Sequence, residues 1–292
     1  MKPRKKIDHY RYQHPMFKHF QLCSLSTALL IFAFSQQVPA QKLPKLQTQS
    51  LRAPKNVLID GKLDDWKDGF MAFNSNTSTY YSIANDSANI YLIIKSGTYA
   101  ALQKMLFGGI TLTLQQHKIV EKDAFKISYP IYDKGNPNWF VNWDPDTVTN
   151  DKLSNGDEAD SVIGIRNTAL SKKMKFIAIR ELATKSDTIF SVYNAKGVVI
   201  RSRFDRDGSY IAEWSIPTHF LMVSAKEKVR SVAYRIELPG RMANSTNINV
   251  DTERRRIFIN GNGGDNYVIP LNSENLDLSL PTYFKGTYIL AN

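Results

Sequence analysis

Cysteine is all but missing from this chain: the 292 residues hold one, Cys23, which lies in the first 40 together with His9, His14 and His19. From residue 41 onward there is no thiol, and the imidazoles are reduced to His117 and His219. Disulfides, thiolate nucleophiles and cysteine metal sites are thereby excluded. Haem needs axial His or Met, and so few of either argue against it. Both histidines read as surface or half-buried residues; metal ligation is the alternative and would require partners that the sequence does not identify. A phosphate-binding glycine loop and a β-α-β rhythm are also lacking. The cluster Gly261-Asn262-Gly263-Gly264 has the wrong neighbours for a nucleotide loop and reads as a hairpin tip.

No long apolar run suited to a membrane span is present either. The stretch from Leu22 to Phe34 is shorter than the ~20 apolar residues a span needs and carries several Ser and Thr. With a basic start before it and Val38-Pro39-Ala40 before Gln41, residues 1–40 read as a cleavable secretory leader. Met16, followed by Phe17-Lys18-His19-Phe20, would open a conventional leader by itself and is the expected start of translation; a retained amino-terminal anchor is the alternative. The leader holds six basic residues (Lys2, Arg4, Lys5, Lys6, Arg11, Lys18) and one acid (Asp8), so of the formal net charge of +11 the exported part keeps +6. The remaining Lys and Arg are scattered, with one tight run at Arg254-Arg255-Arg256. That is a solvated surface, not a nucleic-acid groove.

What is present is a succession of short β patterns. Residues 41–55 are polar, include Pro44 and Pro54, and form an extended lead-in. Residues 79–84 and 90–95 read as two strands joined by the Asx-rich turn Asn85-Asp86-Ser87-Ala88-Asn89. Residues 99–107 have helical composition and stop at Gly108-Gly109. Strict alternation then resumes, with Ile110, Leu112 and Leu114 on one face. Segments 160–166, 175–181, 187–193, 198–204, 209–216 and 231–238 also read as strands, separated by turns such as Asn194-Ala195-Lys196-Gly197 and Asp205-Arg206-Asp207-Gly208. The expected fold is all-β, an antiparallel β-sandwich of immunoglobulin or jelly-roll type with one or two short helices. It spans residues 56–240, and residues 241–292 form a carboxy-terminal extension packed on the same sandwich.

Three sequence features carry a family resemblance. The chain opens with Ile59-Asp60-Gly61-Lys62-Leu63-Asp64-Asp65-Trp66, continues with Asn89-Ile90-Tyr91-Leu92 after an Asx turn, and closes with Tyr210-Ile211-Ala212-Glu213-Trp214-Ser215-Ile216-Pro217. In order and spacing these resemble family 9 carbohydrate-binding modules, within the wider group of DOMON-like sandwiches. The segment from Leu102 to Leu114, followed by Ile127-Ser128-Tyr129-Pro130, also resembles exported proteins of Bacteroidetes-type bacteria. The resemblance implies a β-sandwich, a sugar held between aromatic rings, and in some members calcium.

Trp139 and Trp143, four apart in a turn-rich segment, are the first ligand candidates, with Asn138, Asn142 and Asp144 beside them. Indole rings stack on the C–H faces of sugars while amides and carboxylates fix the hydroxyls; the alternative is that one or both rings cover an edge of the core. Glu213 faces opposite to Tyr210, Ala212, Trp214 and Ile216 by alternation and could meet a ligand or cap a neighbouring loop. Trp66 reads as a ring buried against the sheet. Asp144, Asp146 and Asp151 supply hard oxygen donors for Ca²⁺ without matching an EF-hand loop, and a solvated acidic loop is the alternative.

These features favour a non-catalytic, exported carbohydrate-binding domain, periplasmic or secreted, that recognises a sugar or cell-envelope glycan by aromatic stacking. No nucleic-acid partner, and no membrane span once the leader is cleaved, is expected. A structural or protein-interaction envelope protein with a degenerate pocket is the main rival. A glycosidase ranks behind both, because it needs two carboxylates about 5–9 Å apart in a cleft, and Glu213 with Glu237 or Asp160 are nominated by residue type alone.

Overall fold

Alternation along β4 (Ile110–Gln116) sets the pattern for the whole molecule: Ile110, Leu112 and Leu114 point into a closed core while Thr111 and Thr113 point the other way. The computed structural model describes residues 42–116, 120, 123–132, 156–182, 186–221, 230–240, 243, 247–260 and 266–292. The chain divides into Met1–Lys42 and Leu43–Asn292, and the second unit holds all the strands and helices of the described residues.

Two antiparallel sheets pack face to face. The first has five strands in the order β1 (Ala72–Asn74), β2 (Thr79–Asn85), β3 (Asn89–Ser96), β9 (Tyr210–Pro217) and β8 (Val199–Phe204). The second has six, in the order β14 (Thr282–Ile289), β10 (Ser231–Leu238), β4, β5 (Phe125–Ile131), β6 (Phe176–Arg180) and β7 (Thr188–Ser191). A separate three-stranded sheet is formed by β11 (Asn247–Asp251), β12 (Arg256–Asn260) and β13 (Asn266–Pro270). The chain is therefore the expected all-β antiparallel sandwich. The inner faces supply one hydrophobic core, in which Trp214, Tyr81, Tyr210, Tyr234, Phe107 and Phe125 are the largest fully buried side chains.

Turn chemistry explains where strands end. Asp86 Oδ1 accepts from the backbone N–H groups of Ala88 and Asn89, both at 2.7 Å, closing the Asx turn between β2 and β3. Asp205 Oδ1 does the same for Asp207 (3.0 Å) and Ser209 (2.9 Å) ahead of β9. The helical stretch after β3 is α1 (Tyr99–Gln103) running directly into a π-helical turn (Lys104–Gly108), which buries Leu102, Met105, Leu106 and Phe107. It ends at Gly109, whose φ of +83° and whose Cβ position, 2.9 Å from the Pro130 carbonyl, both require glycine.

Residues 160–166 are not a strand as expected; they lie within α2 (Gly156–Lys173). The alternation seen there is local, whereas Ile163, Asn167, Leu170 and Met174 recur at helical spacing and form the inward face. Ile163, Leu170 and Met174 join the inner core, and Asn167 exchanges two hydrogen bonds with the backbone of Phe204 in β8 (2.7 and 3.0 Å). Lys172 and Lys173 in the last turn complement the helix dipole. A third helix, α3 (Ser273–Ser279), precedes β14.

Both ends of the described chain are tied to the sandwich. Gln47 bonds the backbone of Ile83 through its side chain (2.7 and 2.8 Å), and its N–H donates to the Tyr81 hydroxyl (3.0 Å), which pairs with the Tyr234 hydroxyl across the two sheets (2.9 Å). Replacing Tyr81 by Phe strands that N–H and the Tyr234 hydroxyl, and is expected to cost about 2 kcal/mol in a denaturant titration; a loss under about 0.5 kcal/mol would show that this inter-sheet pair does not contribute. At the other end β14 pairs with β10 over its full length, and Ala291 donates to the Asn85 side chain (2.7 Å).

Candidate functional site

The closing strand β9 carries one acid on its outer side, and that acid has no exposed surface. Glu213 Oε2 accepts from the backbone N–H of Asp60 (2.9 Å) and of Gly61 (2.6 Å), and Oε1 accepts from the Trp66 indole N–H (2.5 Å). Gly61 takes φ +83°, which presents its N–H to the carboxylate. Burial pushes the Glu213 carboxyl above the ordinary value of 4.5, while the three N–H donors pull it back and the charge of Asp60 adds to the rise.

The opening and closing motifs thus form one device. Residues 51–70 lie on the outer face of the five-stranded sheet and seal a second, smaller core in which Trp66, Ala84, Tyr91 and Ile93 are buried and Leu51, Val57, Ile59, Leu63 and Phe70 pack around them. Trp66 meets Tyr91 edge-on at 6.0 Å. Sequence reasoning left two tasks open for Glu213; its described contacts are those of a cap on the loop at Asp60 and Gly61.

Trp139, Trp143, Asn138, Asn142, Asp144, Asp146 and Asp151 all lie outside the described residues, as does His117. Residues 138–151 follow β5 and precede α2 in the chain, whereas His117 falls between β4 and β5. His219 is exposed, with its ring 4.4 Å from that of Phe220. Among the described residues no group of three or more His, Cys, Asp or Glu is placed to hold a metal ion, and no helix is long and apolar enough to cross a membrane.

Whereas residues 51–70 cover the outer face of the five-stranded sheet, the outer face of the six-stranded sheet carries two polar rows. The register aligns Tyr283 (β14), Glu237 (β10), Thr111 (β4), Ser128 (β5) and Ala178 (β6) in one cross-strand row. The adjacent row is Lys285, Arg235, Thr113, Lys126 and Arg180. Each row crosses four strand spacings, roughly 19 Å. In the middle of the rows Thr111, Thr113 and Ala178 are buried, while Tyr283 at the β14 side is exposed.

The β14 side of this face has defined geometry. The Arg235 guanidinium lies over the Tyr283 ring at 3.9 Å and pairs with Glu237 at 2.5 Å, while Lys285 Nζ is 5.7 Å from the same ring. Tyr283 remains 45% exposed. In the middle, the hydroxyls of Thr111 and Ser128 pair at 2.8 Å; on the far side Arg180 pairs with Asp187 at 2.7 Å. The arrangement offers an exposed aromatic ring beside a charged donor and acceptor fixed against each other. Sequence reasoning named Glu237 only as a possible catalytic acid and missed Tyr283, Arg235 and Lys285. Alternation did place Thr111 and Thr113 outward, but the rows exist only once the strand order is known.

No family model matches the chain, and no curated protein matches it. Among solved structures it is similar to a carbohydrate-binding module family 9 from Caldicellulosiruptor kristjanssonii in complex with glucose, at 10% sequence identity and a TM-score of 0.28, over 84% of this chain and 95% of that chain. A likeness of that size carries no argument about this chain's ligand, which rests on the geometry of its own residues.

Proposed function

We propose that the protein is an exported, non-catalytic carbohydrate-binding domain whose recognition surface is the outer face of the six-stranded sheet. The observation that supports this reading is the exposed Tyr283 ring held by Arg235 at 3.9 Å beside the Arg235–Glu237 pair. Sugars present apolar C–H faces to an aromatic ring and hydroxyls to charged donors and acceptors. Because Arg235 and Glu237 hold one another, their orientation is set before a ligand arrives, which lowers the ordering cost of binding. Trp139 and Trp143, with Asn138, Asn142 and Asp144, belong to this proposal as a second aromatic element, and Asp144, Asp146 and Asp151 as a calcium site in the same segment.

A glycan-array screen of the purified protein, with and without calcium, tests the reading. Wild type is expected to bind at least one glycan, and Tyr283→Ala to lose about tenfold in affinity while remaining folded. A Trp139→Ala, Trp143→Ala double variant reports on the second element. Absence of binding to every glycan in both conditions would contradict the proposal.

A rival reading, a protein-interaction surface, has one observation in its favour. Ile165 is 69% exposed on α2 and lines an open cavity of about 710 Å³ with Ser161, Gly164, Thr168 and Ala169.

A further inference from the structure

The charges on the outer face of the six-stranded sheet are unequal. Its second row carries Lys285, Arg235, Lys126 and Arg180, whereas the acids in contact are Glu237, engaged by Arg235 at 2.5 Å, and Asp187, engaged by Arg180 at 2.7 Å. Lys126 and Lys285 make no ion pair with a described residue. Alternation puts both on the outer face, Lys126 between the buried Phe125 and Ile127, and Lys285 next to the buried Phe284. Three strand spacings separate them across β14, β10, β4 and β5, roughly 14 Å. Two cations at that separation, on a face whose other two cations each engage an acid, leave an excess of positive charge among the described residues of that face.

From this we infer that the ligand is an acidic oligosaccharide, one bearing uronate carboxylates, with Lys126 and Lys285 as the residues that select charge. The inference rests on the carbohydrate-binding reading and adds a substrate class to it. A carboxylate seated at each lysine forms a charge-assisted hydrogen bond, while the sugar ring nearest Lys285 stacks on Tyr283. A neutral glycan of the same length gains the stacking alone. Charge therefore acts as the discriminating element and the aromatic ring as the general one.

Isothermal titration of the purified protein against oligomers of galacturonate, alginate and hyaluronan, each compared with its methyl ester, separates these contributions. Esterification removes the charge and keeps the backbone. At least one free acid is expected to bind about tenfold more tightly than its ester, and more weakly as salt is raised. A Lys126→Met, Lys285→Met double variant should bind acid and ester alike, and Tyr283→Ala should weaken both. Equal binding of acid and ester by wild type, or binding to neutral glycans only, overturns the acidic inference and leaves the carbohydrate reading standing. Unchanged acid preference in the lysine variant also overturns it, since the charge would then be read elsewhere. No binding to any oligomer, charged or neutral, here and on the array, overturns both.

Discussion

Replacing Glu213 by alanine is expected to destabilise the protein by about 4 kcal/mol, measured by equilibrium urea unfolding. The carboxylate is fully buried and accepts three N–H groups, from Asp60, Gly61 and the Trp66 indole. A methyl group in its place leaves three donors without acceptors under a layer of Leu, Ile and Val side chains. Each stranded donor costs about 1–3 kcal/mol, reduced where water can enter. Trp66→Ala should cost a similar amount by losing a buried ring and orphaning Oε1. Because both changes break the same contact, the double variant should cost less than the two single losses together, by about 1–3 kcal/mol. Strict additivity would show that the two motifs are held independently.

The same carboxylate has a pH signature opposite to that of most acids. Burial raises its folded-state pKa above the ordinary 4.5. Its contribution to stability is therefore fully present below the ordinary glutamate range and is lost as pH rises through the raised value. Relative to wild type, Glu213→Gln should remove that falling component in the region just above 4.5. An identical pH–stability profile for the two proteins would show that Glu213 does not titrate there.

A second large effect is expected at Trp214. Its ring is fully buried between the sheets and meets Tyr129 edge-on at 6.3 Å, and its indole N–H has no hydrogen-bond partner among the described residues. Trp214→Ala empties most of a large core site and should cost about 4 kcal/mol in denaturant titration. Trp214→Phe keeps much of the volume and removes the unsatisfied N–H, which offsets part of the cavity cost; a loss of about 1 kcal/mol is expected. If Phe proved as damaging as Ala, the indole nitrogen would have to make a contact that supports the fold.

Strand positions were legible in the sequence wherever alternation survived over six or more residues, as in residues 231–238 and 198–204. There the period of 2 reports directly which face is buried. The stretch 160–166 misled because Ile163 and Ile165 alternate locally, while the helical face runs through Ile163, Asn167, Leu170 and Met174 and includes a polar residue. A hydrophobicity pattern cannot register Asn167, whose amide replaces a missing backbone partner of Phe204. Glu213 was legible as an outward acid on its strand but not as a cap, because its donors lie 147 to 153 residues earlier. The cross-strand row was hidden for the same reason: Tyr283, Glu237 and Thr111 meet only through the strand order β14-β10-β4. Trp139 and Trp143 stand out through their spacing in a turn-rich segment, which says what they offer a ligand and nothing of where they sit.

The claim that the outer face of the six-stranded sheet is the recognition surface is tested most directly by an amide-resolved NMR titration of the protein with a glycan selected on the array. Shift changes concentrated at Thr111, Thr113, Ser128, Arg235, Glu237 and Tyr283 are the predicted result. Changes that leave these six amides unmoved and fall instead along α2 or on the five-stranded sheet would contradict it.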